Sequence, residues 1–119
     1  MGCLSVRAVG WEGRLTEVLR EASRRAYDPA RWNCARFTQA CVEALVGGPV
    51  PAQWRGSLEA TVDAIFSRID STVAGTGDVV LGEVPDATLG VCLGRLVVFV
   101  SPAGLIAHPR SVISVAWRV

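Results

Sequence analysis

The runs Gly77-Asp78-Val79-Val80-Leu81, Thr88-Leu89-Gly90-Val91-Cys92-Leu93-Gly94 and Leu96-Val97-Val98-Phe99-Val100 decide the fold. Each is short, rich in β-branched or aromatic residues, and bounded by turn formers, which is the make-up of a strand. Strands are expected over Asp78 to Leu81, Leu89 to Leu93 and Leu96 to Val100, with Gly94-Arg95 as a two-residue hairpin turn. Pro102-Ala103-Gly104 turns the chain again, into Leu105 to His108. The tail alternates. Ile113, Val115, Trp117 and Val119 fall on one face, and Ser114, Ala116 and Arg118 on the other, as in a half-buried terminal strand.

Upstream of Ser71 the period lengthens to that of a helix. Trp11, Leu15, Val18, Leu19, Ala22 and Ala26 make one stripe, which predicts a helix from Trp11 to Tyr27, ended by Asp28-Pro29. Asn33 is a good N-cap for a second helix, Cys34 to Val46. One face holds Cys34, Phe37, Thr38, Cys41, Ala44 and Leu45, and Gly47-Gly48-Pro49 stops it. Leu58, Val62, Ile65, Phe66 and Ile69 predict a third helix over Ser57 to Ile69. Helices first and antiparallel strands after predict an α+β domain, with three N-terminal helices packed on a meander sheet.

At 119 residues the chain reads as one domain with one small core. Half of it is hydrophobic, and its mean hydropathy is +0.36. That surplus reads as subunit interface, with a small apolar core as the competing source. No membrane span is expected. The charge-free run from Leu96 to Pro109 is broken by Ser101-Pro102 and Gly104, and a span needs about 20 apolar residues. Arg20, Arg24 and Arg25 interleave with Glu17 and Glu21 as on a solvated helix face, so no nucleic-acid partner is expected. The four cysteines, Cys3, Cys34, Cys41 and Cys92, form no CxxC pair, so neither a metal site nor a cofactor is expected. Cys34 and Cys41 stand two turns apart on one helix face, too far to bridge. The N-terminus lacks a secretory apolar core, which fits reduced cysteines in cytoplasm. Met1-Gly2-Cys3 hints at acylation, but Val6 stands where the myristoylation pattern wants Ser or Thr.

The order of these pieces is informative. Asn33-Cys34 opens a helix, Gly77-Asp78 opens a strand, and Thr88-Leu89-Gly90-Val91-Cys92-Leu93-Gly94 follows. From Trp11 to Val119 the chain resembles the NlpC-type, papain-like cysteine peptidases that cut cell-wall peptides. Those enzymes carry an Asp-Cys at a helix start, a Gly-Asp strand opener and a His-Val-Gly-Ile-Tyr-Leu-Gly-like strand whose histidine is the base. The resemblance makes residues 1–119 a single NlpC-like domain. It puts Cys34 at the nucleophile, Asn33 at the cap before it, and Thr88 at the histidine position. It is closer still to small phage and prophage proteins on this frame. These share the Trp11-Glu12-Gly13-Arg14-Leu15, Gly104-Leu105 and Ala116-Trp117-Arg118 motifs. The resemblance implies a component of a tail tip or baseplate, assembled in the bacterial host cytoplasm and carried in the virion. It also implies other tail proteins as partners, with peptidoglycan peptides as partners or substrates.

A cysteine hydrolase attacks as the thiolate and needs a proton carrier. The free N–H groups at a helix start lower a thiol pKa, and Arg31 and Arg36 add positive charge. A threonine hydroxyl at position 88 cannot accept a proton near neutral pH. The residue that orients the histidine would fall near Phe99 and Val100, where this chain is apolar. His108, the only histidine, is the candidate base if its strand end folds over the helix start; the competing reading is a strand-end histidine. Cys34 is likewise either a nucleophile or a small packed hydrophobe. Asp78 is expected to fix the strand entry. Trp11, Trp32, Trp54 and Trp117 read either as a peptide groove or as core and interface anchors. Three functions stay open: a catalytically inactive structural protein, a cysteine peptidase or amidase acting on peptidoglycan peptides through Cys34, and a binding module that keeps the groove and holds wall peptide without cutting.

Overall fold

The computed structural model describes residues 7–54 and 56–119. Cys3 and the Met1-Gly2-Cys3 opening lie outside the described residues. Three helices come first: α1 (Trp11–Ala22), α2 (Cys34–Val46) and α3 (Leu58–Asp63). Six strands follow: β1 (Arg68–Ile69), β2 (Val79–Glu83), β3 (Ala87–Cys92), β4 (Leu96–Ser101), β5 (Gly104–Pro109) and β6 (Ile113–Trp117). They form one antiparallel sheet in the order β1-β6-β2-β3-β4-β5. The fold class is α+β, as the sequence predicts. Strands β2 to β5 run as a meander, but β6 does not extend it. β6 returns to the far side of β2 and also pairs with β1.

That return imposes a shape. Pro109 lies opposite Leu96 on β4, and Ile113 lies opposite Gly82 on β2. In a flat sheet β5 and β6 would stand four strand spacings apart, about 19 Å. The four steps from Pro109 to Ile113 reach at most about 14 Å when fully extended. The sheet therefore curls, and residues 110–112 cross its concave face. The crossing is pinned by Arg110. Its guanidinium donates to the carbonyls of Ala74 (2.9 Å), Gly94 (2.6 Å), Ser71 (3.1 Å) and Thr72 (3.3 Å).

Each face of the sheet has its own core. The convex face takes the helices: Leu15, Phe37, Cys41, Leu45 and Val62 pack on Val79, Leu89, Val91, Val98 and Trp117. The concave face holds Val80, Cys92, Val97, Phe99 and Ala116, all fully buried, with Val112 and Ile113 beside them. Phe99 reaches across two strands. A Cβ on Gly90 would lie 2.5 Å from its Cδ1 and 2.4 Å from the Val98 carbonyl oxygen. A Cβ on Gly82 would lie 3.1 Å from its Cζ and 3.0 Å from the Val112 oxygen. These glycines are the space in which the Phe99 ring lies.

Three expectations change. α1 ends at Ala22 rather than Tyr27, because Arg24 N and Arg25 N bond to the carbonyls of Glu21 and Ala22 in a tightened last turn. Ala26, expected in its stripe, is exposed. α3 stops at Asp63 rather than Ile69, because Arg68 and Ile69 pair with Trp117 and Ala116 as β1. Finally, Ile113 does not share a face with Val115 and Trp117. The β2–β6 register shifts between Leu81 and Gly82, leaving Ser114 as an extra residue whose hydroxyl donates to Leu81 O (3.0 Å). Ile113 consequently joins the concave core.

One polar junction holds α3 to the sheet. Asp63 accepts from the buried Trp117 indole N–H (2.8 Å) and from Arg68 Nε and Nη2 (2.8 Å each). Its hydrogen bond with the Arg68 guanidinium, aided by the indole, holds the carboxyl at about 2, below its ordinary 3.8.

The packing sets the cost of substitution at two glycines. Gly90→Ala should cost about 1–3 kcal/mol in urea denaturation. Gly13→Ala, on the exposed face of α1 with nothing within 4 Å of its Cβ position, should gain about 0.5–1 kcal/mol. A depressed folded-state pKa means that Asp63 stabilises fully above about 3.8 and that this contribution is lost as pH falls through about 2. Unfolding free energies measured from pH 5 to 2 should therefore fall more steeply for the native chain than for Asp63→Asn. The difference should stay below about 1 kcal/mol because the pair is open to solvent.

Candidate functional site

The loop before α2 is built to present Cys34. Asp28 N donates to Trp32 O (3.0 Å) and Trp32 N to Asp28 O (2.8 Å), closing residues 28–32 into a tight turn. The Trp32 ring lies under the Arg25 guanidinium (4.1 Å) and meets the Phe37 ring edge-on (6.2 Å). Asn33 then uses both ends of its amide. Its Oδ1 accepts from Arg36 N (3.0 Å), capping the helix, and its Nδ2 donates to Pro29 O (2.8 Å). An aspartate could make only the first bond. Cys34 is the first residue of α2 and is half-buried.

Cys34 lines an open cleft of about 280 Å³. The cleft lies where two strands part. β3 and β4 pair only at Val91 with Val98 and Cys92 with Val97, so Ala87 to Gly90 diverge from Phe99 to Ser101. One wall is the β2–β3 turn and strand start, Val84 to Thr88. The other is Phe99 to Pro102 with Ile106, and Tyr27 and Cys34 complete it.

Cys34 and Thr88 are thus brought to one cleft. Thr88 is half-buried, and its hydroxyl donates to Asp86 O (2.8 Å), so it serves the turn. His108 does not line the cleft. It lies opposite Val97 on β5, with its ring edge against Phe99 (5.9 Å), two residues past Ile106. That places it in the concave core's neighbourhood, on the face turned away from α2. Arg31 and Arg36 are exposed and are not among the cleft walls. None of the four tryptophans forms a wall of it either. Trp32 and Trp117 are buried, Trp11 lies under Arg7, and Trp54 donates its indole N–H to Gln39 Oε1 (2.7 Å).

Three polar residues of the cleft, Tyr27, Asp86 and Ser101, are not candidates in the sequence. Tyr27 reads as the end of the first helix and Ser101 as part of a turn, and Asp86 falls in a stretch without a motif. The proximity of Asp86 to Thr88 in the chain was the available signal. Asp78, by contrast, stands away from the cleft. It is buried (1 % exposed) and accepts from Gly75 N (2.9 Å), Val119 N (2.9 Å) and Arg7 Nη2 (3.3 Å), with Arg118 Nε at 3.5 Å. It fixes the entry to β2 and the end of the chain. Among the described residues no group of three or more His, Cys, Asp or Glu is placed to hold a metal ion. No helix of the described residues is long and apolar enough to cross a membrane.

These features define a small α+β domain in which a cysteine at a helix start faces a parted antiparallel sheet. Residues 6–119 match the family described as a domain of unknown function, DUF6950, and the chain belongs to that family. No curated protein matches it.

The three described cysteines differ in access. Cys41 and Cys92 are fully buried, and burial pushes the Cys41 thiol pKa upward. In the folded protein iodoacetamide should modify Cys34 and spare Cys41 and Cys92, read by intact mass and peptide mapping. His108→Ala should leave the Cys34 rate within about twofold, because reactivity follows groups near the thiol. A larger drop would mean that His108 reaches the cleft.

Proposed function

We propose that this chain is a structural subunit of a phage or phage-derived tail tip or baseplate, built on a cysteine-peptidase-like frame that no longer cuts. The tail context comes from the resemblance of its motifs to small phage and prophage proteins. The loss of catalysis rests on one observation. The cleft that holds Cys34 is lined by Thr88, the residue that the resemblance sets at the histidine position, and His108, the only histidine, is not among its lining residues. A thiol without a neighbouring base lacks the proton carrier that attack and leaving-group departure require, a loss of about 10²–10⁴ in rate. In this reading Cys34 is retained because it packs, and the partners are neighbouring tail proteins.

The peptidase or amidase reading keeps one observation in its favour: Cys34 is half-buried at a helix start and opens on the cleft. A Cys34→Ala allele in the phage or prophage that carries the gene separates the two. The structural role predicts unchanged particle yield and infectivity for Cys34→Ala, and missing or incomplete tails when the gene is deleted. Normal particles that infect poorly with Cys34→Ala would establish the enzyme instead. Normal tails after deletion would remove the assembly role.

A further inference from the structure

The β5 edge of the sheet is unusually open. β5 is the last strand in the order, and among the described residues nothing pairs with its outer side. It runs Gly104 to Pro109 in unbroken register with β4, with no bulge. The whole β4–β5 hairpin from Leu96 to Pro109 carries no Asp, Glu, Lys or Arg. Natural edges are normally blunted by charge, bulges, internal proline or a covering element. Here the one proline, Pro109, stands at the end, and every second residue before it turns its N–H and C=O groups away from β4.

We propose that this edge is a self-pairing surface, on which β5 of a second copy of the chain pairs antiparallel about a two-fold axis at Ile106. The argument is one of self-complementarity. Leu105 packs with the helix-side core and Ile106 with the concave core, so the strand alternates cleanly between faces. In a continuous sheet directly opposed residues share a face, so odd residues must meet odd and even must meet even. An axis at Ala107 would set Leu105 against Pro109 and Gly104 against Arg110, whose guanidinium is already bound to Ala74, Gly94, Ser71 and Thr72. An axis at Ile106 sets Leu105 against the other copy's Ala107 and Gly104 against its His108, with Ile106 meeting itself. Leu105 and His108 then each face a small residue, the two Ile106 side chains meet at the axis, and no like charges meet. A two-fold pair of this kind uses the same surface on both copies and closes on itself. It also gives the surplus hydrophobicity of the chain an interface to occupy. The inference stands apart from the tail-subunit reading, since it rests on the β5 edge alone.

Sedimentation velocity of the purified full chain, loaded from about 1 to about 200 μM, tests it. The expected result is a concentration-dependent species of twice 12.6 kDa. Ala107→Lys puts a charge on an exposed edge position without touching the core. It should weaken self-association at least about tenfold while leaving the circular dichroism spectrum and melting temperature unchanged. Ile106→Cys should crosslink between copies under mild oxidation, whereas Ala107→Cys should not. A chain that stays monomeric throughout, whether its edge pairs with a foreign strand or with nothing, overturns the proposal. So does a dimer indifferent to Ala107→Lys, or crosslinking at 107 in preference to 106.

Discussion

Three residues, Arg110 to Val112, are too few to cross a flat sheet, and the curl they impose governs the rest of the molecule. A curled sheet has a narrow inside. On the concave face the Phe99 ring lies along the sheet, and Gly82 and Gly90 give it room. A side chain at either glycine would push the ring or the crossing segment outward. The convex face is broad and takes α1, α2 and α3. The same curvature parts β3 from β4 beyond the Val91–Val98 pair, and that parting is the cleft. The site is thus a consequence of how the chain closes rather than an addition to the fold.

Two charged residues hold the closure from opposite sides. Arg110 gathers carbonyl oxygens of Ala74, Gly94, Ser71 and Thr72 around the crossing. Asp78 does the converse, collecting the N–H groups of Gly75 and Val119 together with Arg7. Arg7 in turn donates to Val119 O (3.0 Å) and Thr76 O (2.8 Å). A cation that satisfies carbonyls and an anion that satisfies amides each replace the secondary structure these loops lack. A buried carboxylate is tolerable only when its acceptor sites are filled, and here backbone donors and guanidinium groups fill them. The Gly77-Asp78 pair, read in the sequence as a strand opener, is therefore a structural fastening.

What the sequence made legible was whatever is decided locally. α2 runs from Cys34 to Val46 as predicted, because its cap, apolar stripe and stop are all encoded within it. Asn33 caps it, and Gly47 ends it in a left-handed conformation (φ 79°). α3 was overextended because Ile65, Phe66 and Ile69 keep helical spacing, while their partners lie at the far end of the chain. Phe66 is buried through a turn, and Ile69 pairs with Ala116. No local pattern announces that pairing. The bulge at Ser114 was invisible for the same reason: alternation in the tail is regular, and only the register against β2 reverses Ile113. The cleft was half legible. Cys34 and Thr88 were singled out from motif order, whereas Tyr27 and Asp86 come to it through a helix end and a turn. His108, read as either a base or a strand-end histidine, stands on β5 opposite Val97, two residues past Ile106, and is not among the cleft walls.

A cysteine at a helix start is only half of a reactive group. The helix supplies free N–H groups that favour a thiolate, but turnover also needs a proton to be taken and returned at the right atom. In this cleft the hydroxyl best placed by chain position is spent on the Asp86 carbonyl, and the neighbouring strand offers Phe99 and Val100. The cleft walls mix apolar groups with polar ones, Tyr27, Asp86, Thr88 and Ser101 among the latter, and the strands beside it are parted rather than paired. Shape and backbone groups here depend on the curl of the sheet, which the core enforces. A catalytic base would depend on one side chain, which can be exchanged without cost to folding. The proposed role draws on that asymmetry: the frame is held by many interactions, whereas catalysis would hang on one.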